Sequence, residues 1–361
     1  MLYSLRDAMK LSVLYCTSEF GSTWFEQIIY KNLFAKAIDT SVQMQISLWD
    51  NPRYIVNYFD TLERLFTAKK YREEQIKKYK DKLVEVLEKS RDNRVIEERV
   101  ENEMILCGEH DIQIIPLEDH NYPSKARQIE SPAPTLFCKG LLPNFQGLEQ
   151  SVAVIGMHEP DLELTPQMAQ YVALALKEKG WWNISGLSSG CDTYAHIASL
   201  ELGGKTGAVV PYGLASLVHP LENTLLADAI VERGGFLLSE MIPSMEANRI
   251  SIILRDRLQS ALTTALFILE TDLESNTLIT VDHSLKSKKT IFVFDPTGSP
   301  LENQSTVLGN ELLLSLKSND GLNSAFSYDT YRDSHIIGVT DGTVFKNWLD
   351  YMNGDSDSMI C

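Results

Sequence analysis

From residue 109 onward, short continuous apolar runs alternate with helix-like stretches, and this alternation limits the possible folds more than any other feature. The runs are IQIIPL (112–117), TLFCKG (135–140), VAVIG (152–156), WWNISG (181–186), GAVVP (207–211), FLLSE (236–240), TALFILE (264–270) and TIFVFD (290–295). After the third run, Met168, Val172, Leu174 and Leu176 recur at helical spacing up to Gly180, and later gaps read the same way. Strands that are apolar along their whole length belong in a parallel sheet covered on both faces. The prediction is an open, doubly wound α/β fold with a mostly parallel sheet over roughly 109–300.

The first part of the chain has a different texture. Residues 53–107 contain no Gly or Pro, and Ile76, Tyr79, Leu83, Val86 and Leu87 form an apolar stripe between charges. That is the pattern of an amphipathic helix, one long or two joined, with Asn93 as the expected break and Pro52 as an earlier boundary. The expected organisation is an all-helical domain over 1–107, the sheet domain over 108–318 and a small C-terminal segment over 319–361. NELLLSLK (310–317) reads as a helix just before that segment, and within it HIIGV (335–339) reads as a strand and VFKNWLDYM (344–352) as a helix. The closing GDSDSMIC reads as frayed.

Charge restricts the function. The 361 residues carry 33 Lys+Arg against 49 Asp+Glu, a net of −16. Residues 1–110 are nearly balanced at 17 basic to 18 acidic, whereas 111–361 hold 16 basic to 31 acidic. A general nucleic-acid coat is excluded, because neutralising phosphates takes clustered Lys and Arg. The five Cys are widely spaced with no C-x-x-C pair, which predicts reduced thiols in a cytoplasmic protein. The N-terminus lacks the features of a secretory signal, and no run approaches the length of a membrane span.

In open parallel sheets, ligands bind beyond the carboxyl ends of the strands where strand order reverses. Three strand-to-helix turns qualify. Gly156 and His158 follow the third run, with Gly156 allowing close backbone approach or simply making the turn. SGLSSGCD (185–192) brackets a tight loop with Gly186 and Gly190. Its Ser188 and Ser189 hydroxyls and the next helix's N–H groups suit a phosphate or sugar. Asp192 is expected to cap that helix, and His196 to be a packed histidine. At 275–277, Ser275, Asn276 and Thr277 open another helix as an anion seat or as plain caps. Arg255 and Arg257 do not share a helix face, so one is expected to pair with a carboxylate and the other to reach the crevice. There is no G-x-G-x-x-G, P-loop, H-E-x-x-H or G-x-S-x-G, and no cofactor, metal or catalytic residue is expected.

These residues, in order, resemble the DprA/Smf family of DNA-processing proteins. The family's S-G-L-A-R-G-I-D-x-x-A-H is similar to Ser185 through Asp192 followed by Ala195-His196, and its G-G-x-T to Gly203-Gly204-Lys205-Thr206. Y-P-x-x-N is similar to His219-Pro220-Leu221-Glu222-Asn223, L-S-E to Leu238-Ser239-Glu240, and R-N-R to Arg255-Asp256-Arg257. S-G-S-L-I-T is similar to Ser275-Asn276-Thr277-Leu278-Ile279-Thr280. Tyr122-Pro123 and Leu136 through Gly140 match upstream elements, so the resemblance covers about 110–300.

It implies an extended Rossmann-like domain, a homodimer, single-stranded DNA binding and loading of a RecA-type recombinase, with no established catalytic step. From the turns and the resemblance together, the candidate ligand- or DNA-binding residues are Gly156, His158, Gly186, Ser188, Ser189, Gly190, Lys205, Asn223, Arg255, Arg257, Ser275, Asn276 and Thr277. Three family cations are missing, replaced by His158, Ser189 and Thr224. Arg249, Arg255, Arg257 and Lys205 are those left near the expected groove. Each lost phosphate contact flattens the salt dependence of binding by about one unit of slope.

A second reading of the same fold is a sensor for a nucleotide-derived ligand, with the helical domain serving a partner. A third, a nucleoside-monophosphate phosphoribohydrolase, lacks its P-G-G-x-G-T block and would have to use Glu240 or Glu270.

Overall fold

The computed structural model describes residues 2–17, 24–58, 73–129, 132–144, 148–316, 335–340 and 343–354. The helical reading over 59–72 and the frayed ending over 355–361 lie outside them. The chain divides into two compact units: Met1–Cys138 with Tyr212–Ser216 and Ser239–Ile250, and Lys139–Pro211 with Leu217–Leu238 and Ser251–Cys361.

The first unit begins with helices α1 (Leu5–Thr17), α2 (Trp24–Met44), α3 (Pro52–Tyr58), α4 (Glu73–Ser90) and α5 (Arg94–Glu109). Pro52 is the first residue of α3, where its missing N–H costs nothing. Asn93 does break the charge-laced region: its side chain accepts hydrogen bonds from the N–H groups of Val95 and Ile96, so α4 and α5 are separate helices. Replacing Asn93 with Ala is expected to cost about 1 kcal/mol in urea denaturation, the usual worth of such a cap. An unchanged midpoint would show that α5 does not depend on it.

The unit's core holds Met9, Leu11, Tyr15, Leu33, Phe34, Leu83, Leu87 and Val100. Glu103 on α5 is buried, paired with Arg99 at 2.7 Å, and accepts from both the N–H and hydroxyl of Ser244. Strands β1 (Gln113–Pro116) and β2 (Thr135–Gly140) pair antiparallel, with the short helix α6 (Ser124–Arg127) between them.

The second unit is built on β3 (Ser151–Ile155), β4 (Trp182–Ser185), β5 (Lys205–Val209), β6 (Phe236–Ser239), β7 (Ala265–Ile268), β8 (Thr290–Phe294) and β9 (Ile336–Val339). Its helices are α7 (Leu164–Lys179), α8 (Cys191–Glu201), α9 (Thr224–Glu232), α10 (Arg249–Leu262), α11 (Thr277–Lys286), α12 (Leu308–Ser315) and α13 (Thr343–Asn353). The strands lie in the order β6-β5-β4-β3-β7-β8-β9, every neighbouring pair parallel. Strand order therefore runs one way from β3 through β6 and the other way from β7 through β9. The reversal falls between β3 and β7, which are paired from Val152–Ala265 to Ile155–Ile268. This is the doubly wound α/β architecture expected from the sequence.

Both faces of the sheet are covered, which is why its strands read as unbroken apolar runs. One face packs Val152, Val154, Phe267 and Phe292 against Val172 and Leu176 of α7, Ala195 and Ala198 of α8, and Phe345 and Trp348 of α13. The other packs Ala153, Ile155, Leu266, Ile268 and Ile291 against Val281 and Leu285 of α11 and Leu313 of α12. The described part of the C-terminal segment thus extends the sheet and covers one face. Phe292 lies 5.0 Å from Phe345 and 5.1 Å from Trp348, ring centre to ring centre, both edge-on.

Candidate ligand cavity at the sheet switch point

The three turns converge. A cavity of about 280 Å³ is lined by Ile155, Gly156 and His158 after β3, Ser188, Ser189 and Asp192 after β4, and Asn276, Thr277 and Thr280 at the start of α11. Pro211, His219 and Pro220 after β5, with Ile252, Arg255, Asp256 and Gln259 of α10, complete the wall. It lies beyond the carboxyl ends of β3 and β7, where strand order reverses.

The loop after β4 is built to stay put. Gly190 at φ 75° immediately precedes α8, and a Cβ there would meet the His158 carbonyl oxygen at 2.3 Å. Leu187 also has a positive φ, 60°, with its side chain fully buried, a conformation a leucine rarely adopts. Asp192 holds the loop's donors: one carboxylate oxygen accepts from the N–H of Gly186 at 3.1 Å and of Ser188 at 3.3 Å. Asn223 holds its acceptors, donating to the carbonyls of Leu187 and Ser188 as well as to the Thr193 hydroxyl.

The expectation that Asp192 caps α8 is corrected here. The helix starts at Cys191 with Gly190 as its cap residue, and Asp192 turns back onto the preceding loop, whose N–H groups would otherwise be buried without acceptors.

Arg255 is the cavity's central charge, and it is already engaged. It is buried on α10, with Nε donating to Asp256 at 2.8 Å. Nη1 donates to the carbonyls of Gly186 at 2.5 Å and Val209 at 3.3 Å, and Nη2 to the Ser188 hydroxyl at 3.3 Å. Gly186 leaves room for this guanidinium: a Cβ there would sit 2.0 Å from Nη1 and 2.7 Å from the Asp192 carboxylate, so either group would have to move. Arg255 both pairs with a carboxylate and reaches the crevice, while half-buried Arg257 does not line the cavity. The His283 pKa is lowered chiefly by burial, with the charges of Lys286 and Arg257 adding to it. Burial pushes the carboxyls of Asp192 and Asp256 up from their usual range, with the Arg255 charge opposing the rise.

The remaining nominated residues divide. Ser189 donates to Glu222 at 2.9 Å, and the Ser275 hydroxyl accepts from the N–H of Thr277 at 3.2 Å. Gly186, Gly190 and Asn223 shape the loop without lining the cavity. Lys205 opens β5, at the opposite rim from the cavity, and donates to the Gly180 carbonyl. Arg249 opens α10 and does not line the cavity.

Asp256, Gln259, His219 and Thr280 line the cavity although they were absent from the nominated set. Gln259 is buried, and its Nε2 has no hydrogen-bond partner among the described residues. His196 is fully buried, with Nδ1 2.7 Å from the Thr206 hydroxyl, and burial pushes its pKa down to about 3. Glu270 ties down the start of α7 by accepting from the Thr165 hydroxyl at 2.6 Å and the Asp161 N–H at 3.0 Å, and Glu240 belongs to the first unit. Neither lines the cavity.

Among the described residues no group of three or more His, Cys, Asp or Glu is placed to hold a metal, and no helix is long and apolar enough to cross a membrane. Cys16, Cys107, Cys138 and Cys191 are free thiols.

Residues 113–316 match the family model described as DNA recombination-mediator protein A. The chain belongs to the DNA recombination-mediator protein A family. It is 28% identical to the DNA processing protein DprA of Bacillus subtilis over 200 residues, 54% of this chain and 66% of that protein. The chain therefore matches just under two thirds of that relative's length.

Its fold is similar to that of DprA from Streptococcus pneumoniae, with a TM-score of 0.63 at 20% identity over 93% of this chain and 95% of that one. It is also similar to DNA processing protein A from Helicobacter pylori, with a TM-score of 0.52 at 22% identity over 68% of this chain and 96% of that one. The Helicobacter structure was described for its single-stranded DNA binding mode. The family assignment agrees with the resemblance read from the ordered motifs, and these folds agree with the doubly wound sheet.

Proposed function

We propose that this chain binds single-stranded DNA at the switch-point cavity and serves DNA processing by passing the strand to a RecA-type recombinase, acting as a homodimer. The observation that carries the reading is the convergence of three sequence-distant polar turns on one cavity in a member of this family. Ser188, Ser189, Asn276, Thr277 and the unpartnered amide of Gln259 offer hydrogen bonds to phosphate, sugar or base edges. Arg255 acts mainly as scaffold, so binding depends less on ionic contacts than in a groove lined with free cations.

Fluorescence anisotropy with a labelled oligo-dT tests this. Binding at low salt is expected, with a log–log salt slope no steeper than about −1.4, the value for roughly two neutralised phosphates on a single strand. No binding at tens of micromolar protein would remove the reading.

One observation favours the nucleotide-sensor alternative: the cavity contains a single Arg or Lys, and each of its nitrogens already has a protein partner. A thermal-shift screen with nucleotides separates the two. A mononucleotide that stabilises the protein while oligo-dT does not would favour the sensor.

A further inference from the structure

We propose that His158 and His219 are the residues that supply positive charge to the cavity, so that anionic ligand is held tightly when they are protonated and weakly when they are neutral. The proposal rests on the reading of this cavity as a binding site for single-stranded DNA, and adds to it the source of charge and its control by pH.

The ionisable side chains lining the cavity are His158, Asp192, His219, Arg255 and Asp256. Three of these are buried, with the Arg255 guanidinium hydrogen-bonded to Asp256, Gly186, Val209 and Ser188 and its charge also felt by Asp192. Counted as ions, that set leaves one negative charge. A phosphate entering the cavity with both histidines neutral meets no net attraction.

The two histidines are exposed at the rim, one after β3 and one after β5, where a ligand can reach them. The groups facing His158 are Asp192 on α8 and Asp256 on α10, both of which feel its charge, with Arg255 beside them. The group facing His219 is Glu222, which also feels its charge. The facing turn of α11 contributes Asn276, Thr277 and Thr280 and no ionisable group. Imidazole is the neutral-range charge switch among side chains. With both rim rings charged the cavity is net positive, and with both neutral it is net negative. Protonation of Asp192 or Asp256 would act in the same direction, so the test must separate the two.

Affinity for labelled oligo-dT is measured by anisotropy from pH 5.5 to 8 at constant ionic strength, for the wild type, H158R and the double variant H158Q/H219Q. Circular dichroism confirms that each is folded; both positions are exposed. Wild-type affinity is expected to rise roughly tenfold per engaged histidine as the pH falls, the gain of one charge-assisted contact. The double variant should be flat, and H158R at pH 8 should bind as the wild type does at pH 5.5.

A wild type that binds without pH dependence overturns the proposal. So does a double variant as steep as the wild type, because the carboxylates would then be responsible. A wild type that binds at no pH, beside an H158R variant that binds at pH 8, overturns the histidine proposal and leaves the DNA-binding reading standing. If neither binds at any pH, that reading fails and the proposal fails with it.

Discussion

Replacing Arg255 with Met is expected to destabilise the protein by about 3–5 kcal/mol, the usual cost of leaving a buried charge without its partner. The change strips Asp256 of its paired cation, removes the charge that also favours the Asp192 carboxylate, and leaves the carbonyls of Gly186 and Val209 without their donor. The carboxyls of both aspartates are already raised by burial, with Arg255 opposing the rise. Without it they rise further, and an acid whose folded pKa lies above its unfolded pKa weakens the fold at high pH and stops doing so once protonated. The R255M deficit should therefore be largest at neutral and alkaline pH and shrink as the solution is acidified. Adding Asp256→Asn should recover part of the loss. Urea denaturation across pH is the measurement; an R255M variant within about 1 kcal/mol of wild type at pH 8 would mean that the buried ion cluster does not hold the loop.

The second large effect concerns acid. His196 is buried without charge, its pKa pushed down to about 3 because nothing around the ring repays the desolvation of an imidazolium. In the unfolded chain the same ring takes its proton near pH 6.5. Between those values the unfolded state binds the extra proton, so stability is full above about pH 6.5 and is lost as the pH falls toward 3. At pH 4 the loss from this one group amounts to about 3 kcal/mol. Comparing the pH dependence of urea midpoints for the wild type and His196→Gln isolates it from the carboxylates. The variant should lose markedly less stability between pH 7 and pH 4, and equal slopes would contradict the account.

The architecture was largely legible because each parallel strand buries both faces. VAVIG, FLLSE and TALFILE have no polar alternation to confuse with a surface strand, and Gly156, Gly186 and Gly190 mark the turns between them. Asn93 was readable as a break because capping is a local interaction spanning two or three residues.

The interior wiring of the site was less legible. Which way the Asp192 side chain turns depends on N–H groups in the loop before it, and Arg255 is defined by carbonyls of the loop after β4 and of the end of β5. Helical spacing separates Arg255 from Arg257 correctly but does not say what each face meets. Lys205 lies near the family motif in sequence, yet it opens a strand, and the amino end of a strand is on the far rim. Gln259 carried no signal at all. It matters because α10 lays it beside the first turn of α11, a neighbour that no local pattern announces.

The pairing of β3 with β7 has a consequence for how the protein comes into being. More than a hundred residues of chain separate Val152 from its partner Ala265, and that intervening chain contains β4, β5 and β6. Contacts so distant in sequence are late and slow to form. During synthesis on the ribosome, a growing chain that has emerged only as far as α10 already carries Ser188, Asp192 and Arg255, but it lacks the strand and the α11 turn that close the cavity. The cavity wall formed by Asn276, Thr277 and Thr280 is thus missing from the nascent polypeptide until translation has passed those residues.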